Sequence, residues 1–181
     1  MELHTYSNIE KTHVQDVYNK IASDFDRTRY YQWKGIKDFI NGLQNNSLIA
    51  DIGCGNGKNM IDNRHIFVGF DFSIEFAKIC NKKGIQSIVA NNTNIPCRNN
   101  FFDNTISVAV IHHLSTQAQR KKCINDTDIL SLDDISTIPV PETCPNEVKS
   151  NFGDLIDLHN FIIFKNLISS NTKNLFFFDN F

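Results

Sequence analysis

At 181 residues, with 41% apolar side chains and fifteen phenylalanines, the chain is long enough for one real core and short for two domains. A net charge of −2 excludes a surface coated in positive charge but leaves room for a local basic patch. The five cysteines (Cys54, Cys80, Cys97, Cys123, Cys144) are scattered and never in C-x-x-C spacing, which argues for reduced thiols in the cytoplasm (the nucleus is the alternative) and against a metal site. There is no signal-peptide pattern and no apolar run of membrane-spanning length, so no membrane partner is expected.

In chain order, residues before His13 are polar and expected to be loose. From His13 to Phe25, Val14, Val17, Tyr18, Ile21 and Phe25 recur at helical spacing and form one apolar stripe. Asp26 to Trp33 is a polar and aromatic loop without periodicity. A second helix carries Trp33, Ile36, Ile40 and Leu43 inward and ends near Gly42 and the Asn45-Asn46 turn. Leu48 to Asp51 reads as a buried parallel strand, followed by a turn with Gly53, Gly55 and Gly57 and a short helix from Lys58.

The second strand, Ile66 to Phe70, ends in Asp71. Ser73 caps a helix from Ile74 to Lys83 that Gly84 stops. Ile85 to Ala90 is the third strand, Asn91 to Pro96 a turn, and Thr105 to Ile111 the fourth strand. His112-His113 sits at its C-terminal end, the edge where open α/β sheets place ligands. Ser115 or Thr116 caps the next helix, which begins with Arg120-Lys121-Lys122. Further on, Ile135 to Val140 reads as a strand that Pro139 confines to an edge, and Pro141 to Asn151 as loop. Leu155 to Ile168 reads as a helix and Leu175 to Phe178 as a last strand.

The glycine turn is the centre of this pattern. Glycine permits positive φ and lets a ligand approach the backbone closely, and a strand entering such a turn is how many α/β proteins hold a nucleotide-like ligand. Asp71 stands eighteen residues after Gly53, where a carboxylate at a strand end accepts both hydroxyls of a ribose. The spacing is G-x-G-x-G, with Asp51 two positions before the first glycine, rather than G-x-G-x-x-G. In this it resembles the class I S-adenosylmethionine (SAM) methyltransferases. That resemblance implies Gly53, Gly55 and Gly57 along the methionine part, Asp71 at the ribose and Asn91 at the adenine amino group, with Asp51, Phe72 and Val110 also among the cofactor-binding residues.

Tyr18 to Ala22, then Phe25-Asp-Arg-Thr-Arg-Tyr30 and Trp33, are similar to the N-terminal signature of the tRNA wobble-uridine carboxymethyl-ester methyltransferases. Asp51 to Lys58, Phe102-Asp103 and Ile106 to His113 resemble the later motifs of that family, whose domain also occurs fused to an AlkB-type oxygenase. The resemblance covers roughly residues 10 to 125. It implies methyl transfer from SAM to the carboxylate of 5-carboxymethyluridine in a tRNA anticodon loop. It also implies a heterodimer with a small zinc-binding activator subunit, any zinc coming with that partner.

In such an enzyme Arg29 would clamp the carboxylate by its planar fork, His112 or His113 would donate to the uracil or carboxyl group, and Arg27, Tyr30 and Trp33 would face the RNA. The structural alternatives are that Arg29 pairs with Asp24 or Asp26, that the histidines merely pack under the next helix, and that Trp33 anchors the core. Arg120-Lys121-Lys122 and Lys34/Lys37 are either solvated helix faces or a flank of the ligand mouth.

One α/β domain is expected: a Rossmann-like class I methyltransferase with a mostly parallel, doubly wound sheet. Residues 1–46 form a helical cap, and 47–181 a core whose C-terminal part is shortened. Two departures from the family pattern stand out: Asn91 replaces the usual Asp at the adenine, and the substrate motifs of the last third are missing apart from a weak match at His159. The rival readings are a small-molecule SAM methyltransferase and a degenerate, non-catalytic SAM- or partner-binding subunit.

Overall fold

A computed structural model describes residues 10–98, 101–126 and 162–166. Five strands form one sheet: β1 (Leu48–Ile52), β2 (Ile66–Asp71), β3 (Ser87–Val89), β4 (Asn104–Val108) and β5 (Ile162–Asn166). Their order is β3-β2-β1-β4-β5, with β1 to β4 parallel and β5 antiparallel to β4. The expected mostly parallel sheet is therefore present. The chain reverses direction across the sheet between β1 and β4, and at such a switch point the strand ends diverge and leave a crevice.

β1 is the centre, with Asp51 in register between Gly69 and Ile106. Alternate residues of β1 are buried on opposite faces, as covering on both sides requires. Ile49 joins Ile36, Ile40 and Ile106 in one apolar cluster, while Ala50 and Ile52 join Phe70 and Phe102 in another. The helices are α1 (Asp16–Thr28), α2 (Lys34–Asn41), α3 (Ile74–Lys82) and α4 (Gln117–Asp126). Helix α2 supplies Ile36 and Ile40 to the first cluster and stops at Gly42, as its apolar spacing indicates. Ser73 caps α3 by accepting the Phe76 N–H, and Gly84 follows it at φ +73.

Several sequence expectations are corrected. The first helix begins before His13, as a π-helical stretch at Lys11–Gln15, and Glu10 is buried rather than loose. Val17 and Ile21 are exposed, and Ala22 is the buried residue of α1. No helix follows Lys58. Residues 58–65 are turns, because Asp62 accepts the Arg64 N–H in a local Asx turn that competes with helix.

β3 is shorter than Ile85–Ala90. β4 ends at Val108, where Ala109 takes φ 56 and the chain enters a short 3-10 turn, Ile111–His113. Helix α4 begins at Gln117, three residues before Arg120. The helix expected over 155–168 is strand at 162–166, where the short apolar run Ile162-Ile163-Phe164 suits either period until it finds a partner. The elements expected at 135–140 and 175–178 lie outside the described residues. No helix among the described residues is long and apolar enough to cross a membrane.

Candidate functional site

A cavity of about 420 Å³ opens at the C-terminal ends of β1 to β4, within the range of small-ligand sites. Each strand sends its following loop to the wall: Gly53–Asn56 from β1, Asp71–Ser73 from β2, Asn91–Thr93 from β3 and Val108–Leu114 from β4. Helix α1 closes the remaining side through Tyr18 and Phe25.

The glycine turn is held from below. Gly53 and Cys54 both donate to the Phe70 carbonyl, at 2.7 and 3.1 Å. Gly53 lies at φ +75, and a Cβ there would sit 2.2 Å from Val110 Cγ2, so glycine is required. Asp71 then orders the turn from the side: its two carboxylate oxygens accept the Gly55 and Ser73 N–H groups, each at 2.8 Å. Burial raises the Asp71 pKa, and these backbone donors pull against it. Each oxygen keeps a lone pair, so the side chain can still accept from two hydroxyls.

Asp51 is not on the wall. It is fully buried beneath the turn, and neither oxygen has a hydrogen-bond partner among the described residues. Burial pushes its carboxyl up to about 7, although the nearby Asn59 amide favours the charged form. Gly57 is likewise buried below the cavity, at φ +76, packed toward Ile85 and Cys80.

Helix α1 is strapped across the mouth by long-range polar contacts. Gln15 donates to the Phe72 carbonyl at 2.9 Å, and the Ser73 hydroxyl donates to Asn19 at 2.7 Å. Tyr18 reaches His113, oxygen to Nε2, at 2.9 Å. The Glu10 carboxylate accepts from Ser115 N and Oγ and from Gln119 Nε2, fixing the segment after the histidines. At the other end of α1, Asp26 accepts from Asn56 and from Lys83. None of these contacts is visible in local sequence pattern.

Of the residues singled out in the sequence, the structure brings Arg29, Trp33, Gly53, Gly55, Asp71, Phe72, Asn91, Val110, His112 and His113 to one cavity. Arg29 pairs with no acid among the described residues: its guanidinium lies over the Phe25 ring at 4.8 Å. Arg27 is the residue that meets Asp24, on the open surface. Tyr30 is also exposed, stacked on Tyr31 outside the cavity with centroids 4.4 Å apart. Trp33 serves twice, packing on the core cluster and carrying the Lys58 ammonium 4.9 Å from its ring. Arg120 is buried, donating to the Leu114 carbonyl at 2.6 Å, so it shapes the loop rather than flanking the mouth.

Asn91 spends its side-chain oxygen on the Thr93 N–H and hydroxyl, both at 2.9 Å, which closes its own turn. The next residue, Asn92, also lines the cavity and has a buried, unpartnered Oδ1. Sequence reading missed it by one position. Lys58, Tyr18 and Gln15 were equally unassigned.

Residues 50–126 match the family model described as a methyltransferase domain. Over 119 residues the chain is 44% identical to the tRNA (carboxymethyluridine(34)-5-O)-methyltransferase of Arabidopsis thaliana, covering 65% of this chain and 30% of that protein. It is 35% identical over 118 residues to the Schizosaccharomyces pombe protein of the same name, covering 65% of this chain and 51% of that one. The chain thus spans 30% and 51% of the length of these two curated relatives. Among solved structures, the [4+2]-cyclase SpnF superposes with a TM-score of 0.52 at 15% identity, over 62% of this chain and 53% of that one. A SAM-dependent methyltransferase of Thermotoga maritima gives 0.50 at 18% identity, over 61% and 55%. These two show the fold alone, since one fold hosts many chemistries.

Proposed function

We infer that this chain, a member of the class I SAM-dependent methyltransferase family, methylates the carboxylate of 5-carboxymethyluridine at the tRNA wobble position. The observation that carries the reading is the placement of Arg29 and His113 in the same cavity as Gly53 and Asp71. A cofactor turn and two donors suited to a carboxylate thus share one wall.

The residues present fit SAM. Asp71 keeps two acceptor lone pairs for ribose hydroxyls, and Asn92 offers a buried, unpartnered amide oxygen for an exocyclic amine. When bound, SAM supplies an electrophilic methyl on a sulfonium. A substrate carboxylate is already ionised near neutral pH, so the chain needs no strong base. Its work is positioning and exclusion of water. Arg29 holds the carboxylate through its fork. His113, steadied by Tyr18, directs a ring nitrogen at the uracil or carboxyl group, and His112 stacks on it with centroids 3.9 Å apart. Tyr30 and Tyr31 offer exposed rings just outside for an unstacked base.

The partner follows from the family resemblance and from β3. Among the described residues that strand pairs with β2 alone, and Ile88 and Val89 are 43% and 47% exposed. Such an edge invites strand addition, so we assign it to a small zinc-binding activator subunit in a cytoplasmic or nuclear complex. Mass spectrometry of wobble nucleosides from cells lacking the protein tests the function. Accumulated free carboxymethyluridine supports it, and an unchanged nucleoside profile contradicts it.

A further inference from the structure

Two cationic side chains line the cavity with no ion pair among the described residues: Arg29 and Lys58. Each rests on an aromatic face, Arg29 on Phe25 and Lys58 on Trp33. One residue stitches them together. Asn56 donates its amide to the Arg29 carbonyl at 3.1 Å, while its side-chain oxygen accepts the Lys58 N–H at 3.4 Å. Asn56 is itself buried and tied to Asp26, so the two cations hang from a rigid bracket.

Their charges are poorly compensated. Burial lowers the Lys58 pKa; the Asp51 carboxyl opposes that and the Arg29 charge adds to it. Asp51 accepts no hydrogen bond from Lys58, and its own carboxyl is held near neutral titration. Two like charges facing one cavity stabilise an entering anion more than either does alone.

We propose that Lys58 and Arg29 together form a carboxylate-binding site, in which Lys58 makes a carboxylate a requirement of the ligand. A lysine point charge complements the arginine fork, allowing a carboxylate to be gripped from two sides. The proposal rests on the methyl-transfer reading only for the source of the carboxylate. Both the amino-acid end of the donor and the carboxymethyl group of the substrate carry one.

The test is calorimetric titration of wild type, Lys58→Met and Lys58→Arg with three ligands, folding being checked by thermal melting. The ligands are S-adenosylhomocysteine, 5′-methylthioadenosine (the same thionucleoside without the amino-acid end that bears the carboxylate) and 5-carboxymethyluridine. Lys58→Met should weaken at least one carboxylate ligand by roughly tenfold or more and leave 5′-methylthioadenosine within about twofold, while Lys58→Arg keeps most of the affinity.

Loss confined to S-adenosylhomocysteine places the donor carboxylate at the site, and loss confined to carboxymethyluridine places the substrate carboxylate there. If the affinities for both carboxylate ligands are unchanged, the proposal is overturned. If wild type binds neither adenosine ligand, the methyltransferase reading fails and the carboxymethyluridine arm alone decides the cation pair. Should Lys58→Met not fold, the lysine Nζ resonance of wild type decides: it should move on adding a carboxylate ligand and stay still with 5′-methylthioadenosine. The absence of any such movement rejects the site.

Discussion

The Tyr18 hydroxyl meets His113 Nε2 at 2.9 Å, joining the first helix to the end of the fourth strand across the cavity. The two rings stand edge to face with centroids 5.1 Å apart, so packing fixes the geometry that the hydrogen bond uses. Burial raises the tyrosine pKa, which keeps its proton in place at neutral pH. Tyr18→Phe keeps the ring contacts with Phe25 and Phe76 and removes only the bond. Unfolding stability should drop by about 1 kcal/mol in urea, and turnover should fall through kcat more than KM. Unchanged stability and unchanged turnover would show that the bond does not position His113.

Asp71 acts on the ligand and on the turn together, because its oxygens accept Gly55 and Ser73. Asp71→Ala should weaken SAM binding by roughly ten- to a hundredfold, from the loss of a charge-assisted hydrogen bond worth about 1.5–3 kcal/mol. It should also lower the melting temperature in the absence of SAM, since two backbone donors lose their acceptor. Calorimetry that finds SAM affinity intact removes Asp71 from the ribose.

Gly53→Ala faces two costs: φ +75 and a Cβ only 2.2 Å from Val110 Cγ2. The first is worth about 1–2 kcal/mol and the second about 1–3 kcal/mol from overpacking. The double variant Gly53→Ala with Val110→Ala should recover part of the steric loss and none of the dihedral loss. A denaturation series in which the double variant recovers nothing contradicts the contact.

Asp51 makes stability depend on pH. Its pKa is raised from the usual 3.8 to about 7 by burial, so between these values the folded state holds a proton that the unfolded state has released. Stability from this group is therefore full below the unfolded value and is lost as pH rises toward about 7, on the order of 4 kcal/mol over the whole interval. The Asn59 amide and the Lys58 charge oppose the effect without reversing it. Asp51→Asn should flatten the stability profile between pH 5 and 8 and stabilise the neutral-pH form. An equally steep profile in the variant would place the titration elsewhere.

Ile88→Lys puts a charge on the open edge of the sheet. Size-exclusion chromatography after co-expression with the proposed activator should show a complex for the unsubstituted chain and none for the variant, while circular dichroism stays unchanged. A stable, SAM-binding, tRNA-methylating monomer of the unsubstituted chain overturns the need for a partner.

What could be read from the sequence was what local chemistry determines. Ser73 as a cap and Gly84 as a stop follow from neighbouring residues alone, and both stand in the structure, where the Gly53 turn and Asp71 line one cavity. Glu10 did not follow, because its partners Ser115 and Gln119 lie more than a hundred positions away. The apolar run Ile162-Ile163-Phe164 suits helix or strand until β4 is there to pair with it. Asn91 and Asn92 differ by one position, and only the bond from Thr93 decides which side chain remains available. Lys58 read as the start of a helix, whereas its ammonium sits over Trp33 in the cavity.

The most direct measurement is transfer of labelled methyl from SAM to an anticodon stem-loop carrying 5-carboxymethyluridine, using the protein with and without the proposed activator and reading nucleosides by mass spectrometry. One added methyl is expected on the carboxymethyl group, lost when Arg29→Ala replaces the wild type. Bound SAM with no methyl on the wobble nucleoside, under conditions where a relative methylates the same stem-loop, would contradict the proposed function.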